Sequence, residues 1–106
     1  MLQSLIVAND RIVVGWWCMT EKELERVLKA LANKRRLLIL RYLKKTREAA
    51  VADIAGAIKL SFNATSKHLR VLYAADILDR EQRSLQMFYC LAGNIPHPAR
   101  SILSIL

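Results

Sequence analysis

The side chains best equipped for chemistry gather in one stretch, Ser61-Phe62-Asn63-Ala64-Thr65-Ser66-Lys67-His68-Leu69-Arg70-Val71-Leu72. Ser61 is a good helix N-cap, because its hydroxyl can accept a hydrogen bond from an orphan amide of the first turn. A helix begun there carries Leu69 and Leu72 on one side, with Thr65 and Val71 flanking them. The other side presents Asn63, Ser66, Lys67 and Arg70. Small side chains permit close approach, amides and hydroxyls read base edges, and cations meet phosphates, so this is chemistry suited to a DNA major groove. Many solvated amphipathic helices share the pattern, and the surrounding elements must decide.

Other chemistries have less support. Asp53 and Glu48 have no His, Ser or Cys partner at a spacing that would position it for acid–base or nucleophilic work. There is no Gly-rich phosphate loop, so no catalytic residue is expected. The two cysteines, Cys18 and Cys90, lie far apart without a CxxC pattern, which suits a reducing, cytoplasmic setting rather than a disulfide framework. A redox-sensing thiol needs a low pKa and exposure. For Cys90, late in an apolar run, an inert buried thiol is the default. A thiol switch, or a soft-metal site completed by a symmetry mate, stays open as the alternative.

Charge narrows the partner. The 106 residues carry 17 Lys+Arg against 9 Asp+Glu, a formal net charge of +8. Such an excess favours polyanions, either nucleic acid or an anionic membrane. No apolar run approaches the roughly 18 residues that span a bilayer. Leu5–Ala8 is cut off by Asn9-Asp10-Arg11 with no basic segment before it, so a secretory signal is not expected. No membrane partner is expected either, with association of residues 1–18 with a membrane or a partner as a third reading.

The elements that must position the 61–72 stretch can be read in order. Residues 1–18 hold two apolar patches around a polar turn and no helical caps: either a short hairpin, an added strand, or an extension upstream of Met19. Trp16 and Trp17 suit packing on a neighbouring subunit better than chemistry. Residues 19–106 read as one domain. Thr20 and Glu23 form a capping box, after which Leu24, Val27, Leu28 and Leu31 make one apolar stripe. Asn33 breaks or caps before a second, core helix carrying Leu37, Leu38, Leu40, Tyr42 and Leu43. Lys34, Arg35 and Arg36 oppose that helix's dipole, a conflict eased either by nearby phosphates or by solvation. Thr46–Ala50 reads as a loop, and Val51, Ile54, Ala55 and Ile58 mark a third helix of small residues. A tight connection through Lys59-Leu60-Ser61 then leads into the polar helix, which is the helix-turn-helix arrangement. Residues 77–91 read as a two-stranded hairpin with Gln82-Arg83-Ser84 near its tip. Pro96 can open a last helix over about 96–106, whose Ile102, Leu103, Ile105 and Leu106 are too apolar for a free terminus.

This order, mainly α with a small β-hairpin (α-α-α-α-β-β-α), resembles the winged helix-turn-helix regulators of the ArsR/SmtB family. Residues 28–40, Leu-Lys-Ala-Leu-Ala-Asn-Lys-Arg-Arg-Leu-Leu-Ile-Leu, are similar to the family's "ALADPTRLRIL" stretch, and residues 60–72 to its "LSxSTVSxHLKVL". Met87-Phe88-Tyr89-Cys90-Leu91 is similar to "xxYYxL", and the likeness covers about residues 21–106. Asp76 and Ser84 depart from the pattern, standing where the family usually has Gly. Phe62 replaces a common polar residue, either to touch a thymine methyl or to pack locally.

The resemblance implies a homodimeric, sequence-specific regulator of double-stranded DNA, acting as a repressor. Ser61 starts the reading helix; Asn63, Ser66 and Lys67 make base or near-base contacts; Arg70 meets phosphate; Arg80 and Arg83 in the wing hold the flanking backbone or minor groove. Leu24, Leu28 and the Ile102–Leu106 patch would join two copies through the first and last helices. A family metal site uses Cys-x-Cys where this chain has Ala50-Val51-Ala52, and another draws on C-terminal carboxylate and His groups, where this chain offers His97. With zinc requiring three or four ligands, no metal or cofactor is expected, and His68 suits a structural, phosphate or backbone contact. The alternative reading is a winged-helix protein-interaction module without specific DNA binding, supported by Phe62 and the missing wing Gly.

Overall fold

A computed structural model of the chain describes residues 19–106. The expected N-terminal extension, with Trp16, Trp17 and Cys18, lies outside the described residues.

The first helix, α1 (Glu21–Leu31), starts at the expected capping box: Glu23 N–H donates to Thr20 Oγ1 at 3.1 Å, and Thr20 N–H donates to Glu23 Oε1 at 3.0 Å. Its apolar stripe divides between the core and the surface expected to meet a second copy. Val27, Ala30 and Leu31 are buried, whereas Leu24 and Leu28 are 38% and 48% exposed. Helical geometry turns successive residues by about 100°, so Leu24 and Leu28 stand at one margin of the stripe, away from the buried Val27 and Leu31.

Asn33 caps α2 (Lys34–Thr46), its Oδ1 accepting from the amides of Arg35 and Arg36 at 2.9 and 3.2 Å. Ile39, Leu40 and Leu43 of α2 are fully buried and form the centre of the core. Arg47 ends the helix in a positive-φ conformation (φ 74). The segment expected to be a loop then becomes a strand, β1 (Glu48–Ala50). Its Glu-Ala-Ala sequence has no strand preference of its own; its pairing comes from distant residues, Ala49 lying opposite Tyr89.

The helices α3 (Val51–Ile58) and α4 (Phe62–Ala74) follow as expected. Lys59 closes α3 in the left-handed region, and Leu60 N–H returns to Ala55 O at 3.0 Å, which makes the turn tight. Ser61 caps α4, its Oγ accepting from Ala64 N–H at 3.2 Å. Thr65, Leu69 and Leu72 are buried, while Val71 is exposed.

The strands β2 (Leu78–Arg83) and β3 (Gln86–Leu91) form the hairpin, turned at Ser84-Leu85. With β1 they make a three-stranded antiparallel sheet of order β1-β3-β2. Asp76 and Ser84 adopt positive φ (64° and 57°), so both do without glycine what a turn requires. The last helix, α5 (His97–Leu103), is shorter than expected; Pro96 sits at its N-cap, and Lys44 Nζ donates to Leu103 O at 2.7 Å near its end. Ala99 and Leu103 of α5 are buried, and the helix packs against α1. The molecule is therefore mainly helical with a three-stranded wing, with α4 held on α3 and the core.

Candidate nucleic-acid interface

On α4 the outward side carries Asn63, Lys67 and Arg70, all exposed, with Ser66 half-buried beside them. Among the described residues no carboxylate pairs with Lys67 or Arg70, and α4 contains no acid. Ser66 and Arg70 also line an open cavity of about 350 Å³ between α4 and the wing, together with Phe62, Arg80, Leu85 and Met87. Phe62 is 56% exposed and Leu85, at the wing's tip, is 96% exposed. The cavity sets a cation on each side, Arg70 and Arg80, with apolar atoms between them.

The wing arginines differ from those of α4. The guanidinium of Arg80 lies 3.9 Å over the ring centroid of Tyr73, a cation–π contact that ties the wing to the last turns of α4. Arg83 makes a bidentate pair with Glu48 (Nη1 to Oε1 2.9 Å, Nη2 to Oε2 2.6 Å). Its Nη2 also donates to Glu81 at 2.9 Å, and its guanidinium lies 4.7 Å over Phe88. Glu48 holds Arg83 firmly protonated, and the Arg83 hydrogen bond in turn lowers the Glu48 pKa. One cation meets two anions there, which fastens β1 to β2 across β3. Sequence reading gave Arg80 and Arg83 together to the flanking backbone or minor groove and missed Tyr73, Glu48, Glu81 and Phe88, which hold them.

Arg36 is not displayed with Lys34 and Arg35. Its Nε donates to His68 Nδ1 at 3.2 Å, and its Nη1 donates to Lys29 O at 3.0 Å and Ala30 O at 3.3 Å. Partial burial lowers the His68 pKa, and the charges of Arg36 and then Arg35 lower it further. Arg26 bonds Ala74 O and lies 3.5 Å from Asp76, so the end of α4 is also tied to α1. The structural role weighed for His68 is the one the side chain occupies.

Burial, followed by the charge of Asp79, pushes the Cys90 thiol pKa up, opposite to what a redox-sensing thiolate requires. Among the described residues no group of three or more His, Cys, Asp or Glu is placed to hold a metal ion. No helix among them is long and apolar enough to cross a membrane.

A short helix, a tight turn, a second helix displaying polar and cationic groups, and an adjoining hairpin define a winged helix-turn-helix DNA-binding protein. Residues 33–80 match the bacterial regulatory protein family arsR. Among solved structures, a homodimeric winged helix-turn-helix DNA-binding domain from Mycobacterium bovis, described as a possible ArsR-family transcriptional regulator, is 30% identical over 79% of this chain and 74% of its own (TM-score 0.68). NolR from Sinorhizobium fredii is 31% identical over 79% of this chain and 80% of its own (TM-score 0.68). The AntR antimony-specific transcriptional repressor is 25% identical over 83% of this chain and 79% of its own (TM-score 0.67). No match is found among curated proteins. The chain belongs to the ArsR family: it is a DNA-binding transcriptional regulator, not an enzyme.

Proposed function

We propose that the protein is a homodimeric repressor that reads a two-fold symmetric operator by laying α4 in the major groove of each half-site. The observation that carries this is the exposed Asn63–Lys67–Arg70 face of α4, joined through Ser66 and Arg70 to the cavity beside the wing. Asn63, Ser66 and Lys67 serve base edges, and Arg70 serves a phosphate. Ser61 contributes chiefly by starting the helix. Arg80 meets backbone beside the cavity, whereas Arg83 supports the wing more than it contacts DNA. The exposed Leu24 and Leu28 of α1, with Ile105 beyond α5, supply apolar surface for a second copy. Dimerisation also agrees with the homodimeric M. bovis neighbour, and repression with the repressor AntR.

The exposed Phe62 and Leu85 favour a second reading, a protein-interaction module. Selection from a random duplex library with reduced, chelator-treated full-length protein, then anisotropy across a salt series, separates the two. The regulator enriches a two-fold symmetric site and loses affinity steeply with salt, because phosphate contacts release counterions. Lack of enrichment with weak, salt-indifferent binding selects the interaction module.

A further inference from the structure

Arg36 and His68 make a junction that DNA contact does not explain. One guanidinium reaches the last turn of α1 through Lys29 O and Ala30 O, stands in the first turn of α2, and meets the middle of α4 through His68 Nδ1. Each bond has a chemical reason. The last carbonyls of a helix lack intrahelical donors and attract a cation. An arginine does not give up its proton, so His68 Nδ1 must offer a lone pair and the ring's own N–H must sit on Nε2. On α4, His68 follows Lys67 directly and precedes the buried Leu69, at the border between the outward and inward sides.

We propose that Arg36 and His68 are a positioning pair that sets the rotation of α4 about its axis relative to α1, and thereby aims Asn63, Ser66 and Lys67 at the bases without either residue touching DNA. The proposal rests on α4 being the base-reading helix. Fixing α4 at its two ends alone, through the Ser61 cap and the Arg26 tie to Ala74 O, leaves its middle to packing. The Arg36–His68 bond supplies a directional constraint there. It also joins the reading helix to α1, which carries the exposed Leu24 and Leu28.

The test uses the full-length protein, its selected operator and a random duplex. His68→Asn keeps an acceptor at the position of Nδ1, whereas His68→Leu removes it. The H68L and R36M variants are expected to lose about tenfold in operator affinity, and H68N to stay within about threefold of wild type. Random-duplex binding and its salt slope are expected to stay unchanged in all three. A direct phosphate contact by Arg36 would instead reduce the slope by about one and weaken both duplexes; that result overturns the proposal. So does H68N failing as badly as a folded H68L, or H68L binding as tightly as wild type. Should H68L not fold, ¹⁵N NMR of wild-type His68 decides. The Nε2–H tautomer, lost in R36M, is expected, and the Nδ1–H tautomer rules the pair out. A wild-type protein that selects no operator defeats the DNA-reading assignment and leaves the tautomer result standing, so the two failures are distinguishable.

Discussion

Helix α4 and the wing each carry two exposed cations, Lys67 and Arg70 against Arg80 and Arg83, yet their surroundings differ. Around Lys67 and Arg70 there is no paired carboxylate among the described residues. In the wing, Arg83 is shared between Glu48 and Glu81, and Arg80 lies on Tyr73. A positive charge already matched by two carboxylates adds little attraction for phosphate, and moving it would uncover both anions. The cations of α4 thus stand without anionic partners, while Arg83 in the wing is held by two carboxylates that shape the hairpin.

Substitutions on α4 test this division most severely. Lys67→Ala is expected to cost about 1–3 kcal/mol of operator affinity and to relax selectivity at the base pair it reads. Unchanged operator affinity at moderate salt, measured by anisotropy, would remove Lys67 from the interface. Arg70→Met and Arg83→Met form a matched pair for the comparison itself. The Arg70 variant should lower the magnitude of the log K against log salt slope by about one, as expected for a lost phosphate contact. The Arg83 variant should leave that slope intact and lower the melting temperature instead. Equal slopes in the two variants would erase the distinction between the helix and the wing.

These tasks were unequally legible in the sequence. The capping box at Thr20, the caps at Asn33 and Ser61 and the tight α3–α4 turn were readable because each depends on residues a few positions apart. The polar face of α4 was readable for the same reason. β1 was not: Glu48–Ala50 lacks alternation, and its partners, Phe88–Cys90, lie about 40 positions away. The partner of Arg83 was hidden for the same cause, since Glu48, which pairs with it, is 35 positions distant. Arg36 likewise looked like a surface cation beside Lys34 and Arg35 until His68, 32 positions on, was placed against it. Local grammar announces elements, while the role of a charge is set by partners that only the fold brings near.

Acidification should separate the two regions by pH. Native His68 has a lowered pKa, so below the ordinary histidine value of about 6.5 the unfolded chain takes up a proton that the native state resists. Its contribution is fully present above that value and is lost as pH falls through the native pKa. Glu48 also has a lowered pKa; its contribution is present above the ordinary carboxylate value of about 4.3 and disappears as pH falls further. Melting temperature followed by circular dichroism from pH 8 to 3 should therefore decline in two stages. H68N should remove the upper stage and Glu48→Gln the lower. Loss of both stages in a single variant would mean that the helix and the wing are not electrostatically separate.

The smallest expected effect lies on the inward side of α4. Thr65 is fully buried and its Oγ1 has no hydrogen-bond partner. A buried hydroxyl left unpaired has given up its water without replacement, at a cost of about 1–3 kcal/mol, whereas an apolar group of the same shape avoids that cost. Thr65→Val keeps the β-branch that fills the space beside Leu69 and Leu72, so it should be neutral or stabilising by up to about 1 kcal/mol in urea unfolding. Operator affinity should not change, because the substitution leaves Asn63, Ser66, Lys67 and Arg70 where they are. A clear destabilisation would reveal that the hydroxyl has a partner, such as a buried water, and that the inward side of α4 is polar at its centre. A loss of DNA affinity at unchanged stability would mean that packing beneath α4, as well as the Arg36–His68 pair beside it, sets the angle at which the helix meets the groove.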